Sequence, residues 1–338
     1  MTTPELTLGK GRLPVLAFLG PEGTYSHQVA HANFAASVEY SPRAGIADVY
    51  HSVGETIPLG LLPQENTIYG AVTETYDILR SLDLGKTKWI RGAVVLPVSH
   101  CLLARKGQKL SGIKRVLSHE QALGQCGKFL STHLPDAKLV KVSSTALAAQ
   151  NLSLSLDAGP SSLDSKVNTM ECAVIASKFC ETIFDELEVL HEGIQNEEDN
   201  FTRFYVLANH PTSPVPLISN PNHEDSQGSG QALVRITVGP IVHSPTAEST
   251  TSPSILECLA MLPHAVSRVD RRPSIQPIPF QDVYFVELLE RFDNLNINDG
   301  DGSDGLEREG ESRWAKGVQD GVRRVNDGGG CAQILGIW

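Results

Sequence analysis

Residues 13–209 alternate short apolar runs with helical patterns, and this alternation limits the possible folds more than any other feature of the chain. Leu13–Leu19 reads as a strand that stops at Gly20-Pro21, with a helix from about Thr24 to Ala36. Leu59–Pro63 is a second strand, stopped by Gln64-Glu65-Asn66 and followed by a helix over Val72–Leu82. Trp89–Ala104 holds one or two strands. Three further strands each lead into a helix: Arg115–Leu117 into Ser118–His133, Lys138–Val142 into Ser144–Leu152, and Cys172–Ile175 into Ser177–Phe184. Repeated strand–helix units predict an α/β sheet with helices on both faces. Residues 153–168, Ser-rich with Gly159-Pro160, read as a surface insertion.

The grammar changes after residue 209. Residues 210–230 combine Pro, Ser, Asn and Gly with little apolar content and read as a linker. Strands are then expected at Gln231–Val238, Ala265–Asp270, Val283–Leu289 and Ala332–Ile337, with helices at Ile255–Leu262 and Trp314–Arg324. The order β-α-β-β-α-β is the ferredoxin-like arrangement. Residues 293–312, rich in Asn, Asp, Gly and Glu, read as a loop. A chain of 338 residues has room for both units.

Charge and cysteines narrow the partners. A net charge of −11 argues against nucleic acid as the main partner, because phosphate backbones need a basic face. An anionic ligand must therefore find a local positive site. No apolar run reaches the ~18 residues of a membrane span, and Met1–Gly11 has no apolar leader core. The six cysteines, at 101, 126, 172, 180, 258 and 331, show no CxxC or Cys/His metal spacing. They read as free thiols in a reducing cytoplasm.

Several strands of the first unit run out into small or polar residues where a helix begins. Such turns are Gly20-Pro21-Glu22-Gly23-Thr24-Tyr25-Ser26, Glu65-Asn66-Thr67, Ser118-His119-Glu120-Gln121, Ser143-Ser144-Thr145 and Ala176-Ser177. Ser118 with Gln121 has the spacing of a capping box. Taken singly, each turn is explained by helix capping alone. Taken together, helix N-termini around the carboxyl ends of strands could bind a small anion even in an acidic protein. Asn200-Phe201-Thr202-Arg203-Phe204 adds a hydroxyl and a guanidinium at a strand start. Period-two alternation sends Thr202 and Phe204 to one face, Phe201 and Arg203 to the other. Gly20-x-x-Gly23-Thr24 lacks the spacing and Lys of a nucleotide loop, and no GxSxG elbow occurs. His27, His100 and His119 sit among apolar or turn residues and read as packing or capping groups. Glu65 and Glu120 are possible acid/base groups without an evident carboxylate partner.

These turns, in this order, resemble prephenate dehydratase. The matching stretches are Gly20–Ser26, Leu62–Thr67 with Gly70 and Tyr76-Asp77, Ser118–Cys126, Ser144-Thr145, Ala173–Ser177 and Asn200–Phe204. The resemblance covers nearly the whole chain, the last 108 residues (231–338) looking like an ACT regulatory domain. It implies a catalytic domain over 1–209 with two lobes like those of periplasmic binding proteins, 14–93 with 189–209 and 94–188. The implied reaction removes carbon dioxide and water from prephenate to give phenylpyruvate, without a cofactor or metal. Thr202 would donate a hydrogen bond or proton to the leaving hydroxyl. Arg203 and Glu65 match less defined catalytic positions, Arg203 as electrostatic or structural support. Asn66, Ser118 and Gln125 match substrate-binding positions, and Thr24, Ser26 and Thr145 would serve the carboxylates. Phenylalanine is the implied effector, held by Ala232, Leu233, Asp270, Arg272 and Pro273, and a homodimer or homotetramer is implied.

The chain departs from the family pattern in four places, one being segment 153–168, which looks longer than usual. Ser143 stands where a carboxylate often precedes the Ser-Thr pair, Gln231-Ala232-Leu233 where the family has Gly-Ala-Leu, and Asp270-Arg271-Arg272-Pro273 where it has Glu-Ser-Arg-Pro. Arogenate dehydratase is the neighbouring alternative, since the same groups leave when an amine replaces the keto group. A non-catalytic small-molecule sensor is the alternative of another class; it would need the cleft but not the hydroxyl of Thr202.

Overall fold

The computed structural model describes residues 13–154, 169–217, 230–239, 253–290 and 306–338, with side chains from Arg313 onward in the last stretch. The chain begins β1 (Val15–Leu19), α1 (Tyr25–Phe34), β2 (Glu39–Arg43), α2 (Ile46–Ser52), β3 (Leu59–Asn66), β4 (Gly70–Ala71), α3 (Thr73–Leu79) and β5 (Trp89–Pro97). It continues with β6 (Cys101–Arg105), β7 (Arg115–Ser118), α4 (Glu120–Gln125), α5 (Gly127–His133), β8 (Lys138–Lys141), α6 (Thr145–Leu154), β9 (Cys172–Ala176), α7 (Phe179–Ile183), β10 (Leu187–His191) and β11 (Phe201–Ala208). The last part holds β12 (Gln231–Val238), α8 (Ile255–Ala260), β13 (Ala265–Pro273), β14 (Asp282–Leu289), α9 (Leu306–Asp327) and β15 (Cys331–Ile337).

These strands form three sheets. The first has the order β2-β1-β3-β11-β5, with β4 paired to β3; the second has the order β10-β6-β9-β7-β8. Both are mixed: β1 runs parallel to β2 and β3, whereas β11 runs antiparallel to β3 and β5. The chain leaves the first sheet after β5 and returns to it as β11, so two lobes are joined by two crossings. These lie at 98–100 and 192–200, a few residues beyond the expected divisions at 93/94 and 188/189. The reason is pairing: β5 stays bonded to β11 through Pro97, and β10 pairs with β6 in the second lobe.

Alternation along β11 explains why its sequence reads as a continuous apolar run. Phe204 and Val206 pack with Phe18, Val29 and Phe34 beneath α1, while Tyr205 and Leu207 pack on the opposite face with Tyr50, Leu62 and Tyr76. A strand covered on both faces has no polar side to show.

The third sheet, β13-β14-β12-β15, is antiparallel throughout and has the ferredoxin-like order. One face carries α8 and α9; Trp314, Val318 and Val325 of α9 recur at helical spacing against Val234, Ile236 and Cys258. Its other face presents Leu233, Val283, Phe285 and Leu335 to the first lobe, completing the core that holds Tyr50, Tyr76 and Tyr205. Two glycines permit this close approach. Gly85 has φ +81° and sits against the Ile334 carbonyl, and Gly336 lies against the Ile90 carbonyl.

Several sequence expectations change. The helix over 118–133 is two helices broken at Cys126. The Ser118/Gln121 capping box does not form: Ser118 ends β7, and the His119 side chain caps Gln121 instead. A capping box does form at Ser254 and Glu257, opening α8. The loop expected over 293–312 is helical from Leu306; its earlier part, like residues 155–168 and 218–229, lies outside the described residues.

Candidate active site

A cleft of about 540 Å³ opens between the two lobes, within the range of small-molecule sites. Leu19, Thr24, Tyr25, Ser26, Asn66 and Thr202 line it from the first lobe, and His119, Gln121, Gln125 and Ser143–Thr145 from the second. Val98 and His100 on one crossing and Asn200 on the other complete it. Among the described residues lining it there is no Asp, Glu, Lys or Arg.

The register of β3 and β11 builds its catalytic-looking corner. Thr202 pairs with Asn66 and Arg203 with Glu65. Asn66 is locked by its neighbours: its Oδ1 accepts from the backbone N–H groups of Ile68 and Tyr69 at 3.0 and 3.1 Å. Its Nδ2 is thereby fixed as a donor, to Asn200 Oδ1 at 2.7 Å and Thr202 Oγ1 at 3.0 Å. Because Asn66 donates into the threonine oxygen, the hydroxyl hydrogen of Thr202 is left to point elsewhere. Asn200 is buried, and its Nδ2 has no partner among the described residues. A buried orphan donor beside a cleft is a place for a ligand acceptor.

A second relay joins the lobes. His100 Nε2 donates to Gln125 Oε1, so His100 Nδ1 accepts from the Tyr25 hydroxyl at 2.6 Å. Burial lowers the His100 pKa and raises that of Tyr25. Both groups are therefore held neutral, the state this relay requires.

Two helices aim their N-termini at the same space. Thr24 caps α1 by accepting from His27 N–H at 3.3 Å while donating to Leu19 O at 2.9 Å, and Ser144 Oγ accepts from Leu147 N–H at 3.0 Å in α6. In a cleft without cations these ends are the positive potential on offer.

The structure thus brings Thr24, Ser26, Asn66, Gln125, Thr145 and Thr202 together at one cleft. Ser118 is not among them. It is fully buried, and its hydroxyl donates to Ile175 O at 2.6 Å, away from the space its neighbour His119 lines. Glu65 and Arg203 also lie off the cleft. They occupy the opposite face of the sheet, in ion pairs with Arg268 and Glu287 of the third sheet. Of the expected effector residues, Ala232 and Leu233 are fully buried in the central strand β12 and offer no side-chain surface to a ligand. Asp270 accepts from the Tyr76 hydroxyl at 2.7 Å, Arg272 pairs with Asp77, and the Pro273 carbonyl accepts from Arg80 at 2.8 Å. Tyr25, His100 and Asn200 were missed as site residues. Tyr25 and Asn200 lie inside matched stretches, and His100 read as a packing group because it sits among apolar residues.

The prephenate dehydratase family profile matches residues 16–212, more than half of the chain. The chain belongs to the prephenate dehydratase family. A bifunctional chorismate mutase/prephenate dehydratase of Pseudomonas aeruginosa is 35% identical over 201 residues, which is 59% of this chain and 50% of that protein. The chain thus spans about half the length of the curated relatives it matches. Among solved structures, the prephenate dehydratase of Arthrobacter aurescens in complex with L-Phe aligns over 96% of this chain and 89% of its own, with TM-score 0.63 and 24% identity. That of Staphylococcus aureus aligns over 96% and 99%, with TM-score 0.63 and 18% identity. These two share the family fold with this chain, including the region beyond residue 212. Among the described residues, no helix is long and apolar enough to cross a membrane.

Proposed function

We propose that the chain is a prephenate dehydratase of phenylalanine biosynthesis, converting prephenate to phenylpyruvate, carbon dioxide and water. The observation that carries this is the donation from Asn66 to Thr202 Oγ1 at 3.0 Å in a cleft lined by neutral groups. The ring carboxylate leaves as carbon dioxide, and its bonding electron pair enters the ring. The C–O bond at the opposite ring carbon breaks, and the departing oxygen takes a proton to become water. Aromatisation supplies the driving force, so the protein must orient the dianion and hold a donor at the leaving oxygen. We assign that donor as Thr202, whose oxygen accepts from Asn66. A hydroxyl acts as an acid only where it is oriented and shielded from water. The N-termini of α1 and α6 and the Asn200 amide suit the side-chain carboxylate. The ring carboxylate gains nothing from a cation, and a neutral wall favours its loss as an uncharged gas.

We read the third sheet as an ACT domain that binds L-phenylalanine, the ligand named with the Arthrobacter structure. Strand β13 is a sheet edge with Val266 and Val269 exposed, which supports pairing with a second copy in a homodimer or homotetramer. The free cysteines suit a cytoplasmic protein. Incubation with prephenate, with arogenate as comparison, tests the reading: phenylpyruvate should accumulate from prephenate at the higher rate. Turnover of arogenate alone would reassign the substrate, and turnover of neither would leave a sensor.

A further inference from the structure

Glu65 directly precedes Asn66, and Arg203 directly follows Thr202. They are register partners across β3 and β11. On the facing sheet, Arg268 and Glu287 are register partners across β13 and β14. Across the gap Arg268 bonds Glu65, and Arg203 Nη1 lies 2.8 Å from Glu287 Oε2. Each cross-strand pair and each cross-sheet pair therefore joins opposite charges, so four alternating charges sum to zero at a partly buried interface. The Tyr205 hydroxyl also donates to Glu287, and Asp270 bonds both Arg268 and Tyr76. Tyr76 in turn accepts from Gln64 at 2.6 Å, the residue before Glu65. Strand alternation puts Asn66 and Thr202 on the cleft face of the same two strand ends. Arg268 and Glu287 lie beyond residues 16–212, which the family profile matches.

We propose that Arg268 and Glu287 are positioning residues for the cleft. Through Glu65 and Arg203 they hold the ends of β3 and β11 in register, and so keep Asn66 Nδ2 on Thr202 Oγ1. They touch no substrate. A displacement of the third sheet against the first lobe reaches Thr202 one residue away, without passing through the crossings between the lobes. This rests on the site reading above.

The test uses the full chain with Arg268→Gln, Glu287→Gln, the double variant, and the conservative Arg268→Lys and Glu287→Asp. Misplacing a donor from a distance lowers kcat by ~10- to 100-fold. That loss is expected in each Gln variant with KM changed far less than kcat, since the N-termini of α1 and α6 that face the carboxylate are untouched. Because the two residues act in one quartet, the double variant should be within about threefold of the worse single one. Glu287→Asp and Arg268→Lys should recover part of kcat. Amide exchange in peptides covering 64–67 and 201–204 should quicken in both Gln variants. Unchanged kcat in both Gln variants overturns the proposal. So does a loss that merely follows the folded fraction, with the conservative variants no better. If the unaltered chain fails to turn over prephenate, the functional reading falls, and amide exchange decides alone: quickening at the two strand ends supports positioning, and unchanged exchange overturns it.

Discussion

Gly336→Ala should loosen the third sheet from the first lobe. A Cβ at Gly336 would lie 1.9 Å from the Ile90 oxygen and 2.7 Å from its carbonyl carbon, whereas ordinary contact begins near 3.4 Å. Both obstacles are backbone atoms in β5, so no side chain can swing aside. Strand β15 must retreat by roughly 1.5 Å, from the difference between those separations. It carries Leu335 out of the shared core and strains the bond from Arg91 to Ile337 O. Overpacking of this kind costs about 1–3 kcal/mol, and the upper end is expected because the retreat also opens a core built from both units. Gly92→Ala is the control on β5, since its Cβ would meet only Val206 side-chain atoms at 3.6 Å. Urea unfolding followed by tryptophan emission is the assay, because the Trp338 ring lies 6.4 Å from that of Tyr205 at this junction. Equal unfolding midpoints for Gly336→Ala and the unaltered chain would refute the argument. The same geometry bears on truncation. A chain cut at Asn209 uncovers Tyr76, Leu79 and Tyr205 together, so regulation has to be measured in the full chain.

Acid should destabilise the protein through its buried histidines. Burial lowers the pKa of His27 and His100 below the ordinary 6.5; the unfolded chain then binds protons that the folded chain refuses, so stability is complete above that value and declines as pH falls below it. Urea midpoints that do not fall between pH 7.5 and 5 would contradict this, and His100→Gln should flatten the slope. Substrate should draw the lobes together about the crossings at 98–100 and 192–200; scattering that is unchanged by a substrate analogue contradicts it. L-phenylalanine should bind the full chain and slow prephenate turnover over the same concentration range. Inhibition without calorimetric binding outside the cleft would place the effect in the cleft itself, because allostery needs unequal binding to two states.

The strand–helix alternation was legible because both lobes bury their sheets on two faces, leaving apolar runs such as Leu59–Leu62 and Phe204–Ala208 with no competing pattern. Strand β2 was missed because it is an edge strand, Glu39–Arg43, with Pro42 inside it and half-exposed residues throughout. Helix α2 was missed because seven residues without a side-chain cap give little periodicity. At the site, Asn66 and Thr202 were legible from their stretches, and the structure adds their register. The role of Arg203 depended on which sheet lies behind β11, a contact made 84 residues away at Glu287 and invisible to local pattern. The burial of residues 232–233 follows from a contact of the same kind, since Leu233 of β12 packs against Tyr76 and Tyr205 of the first lobe.

The central claim is that Thr202 supplies the hydrogen at the leaving oxygen. Single-turnover conversion of prephenate by Thr202→Ala, with substrate binding measured by calorimetry on the same protein, tests it most directly. Loss of one preorganised donor costs ~10²–10³-fold in the chemical step. That loss is predicted with affinity nearly unchanged, and Thr202→Ser should retain most of the rate. A Thr202→Ala enzyme that converts bound prephenate at the unaltered rate would contradict the account.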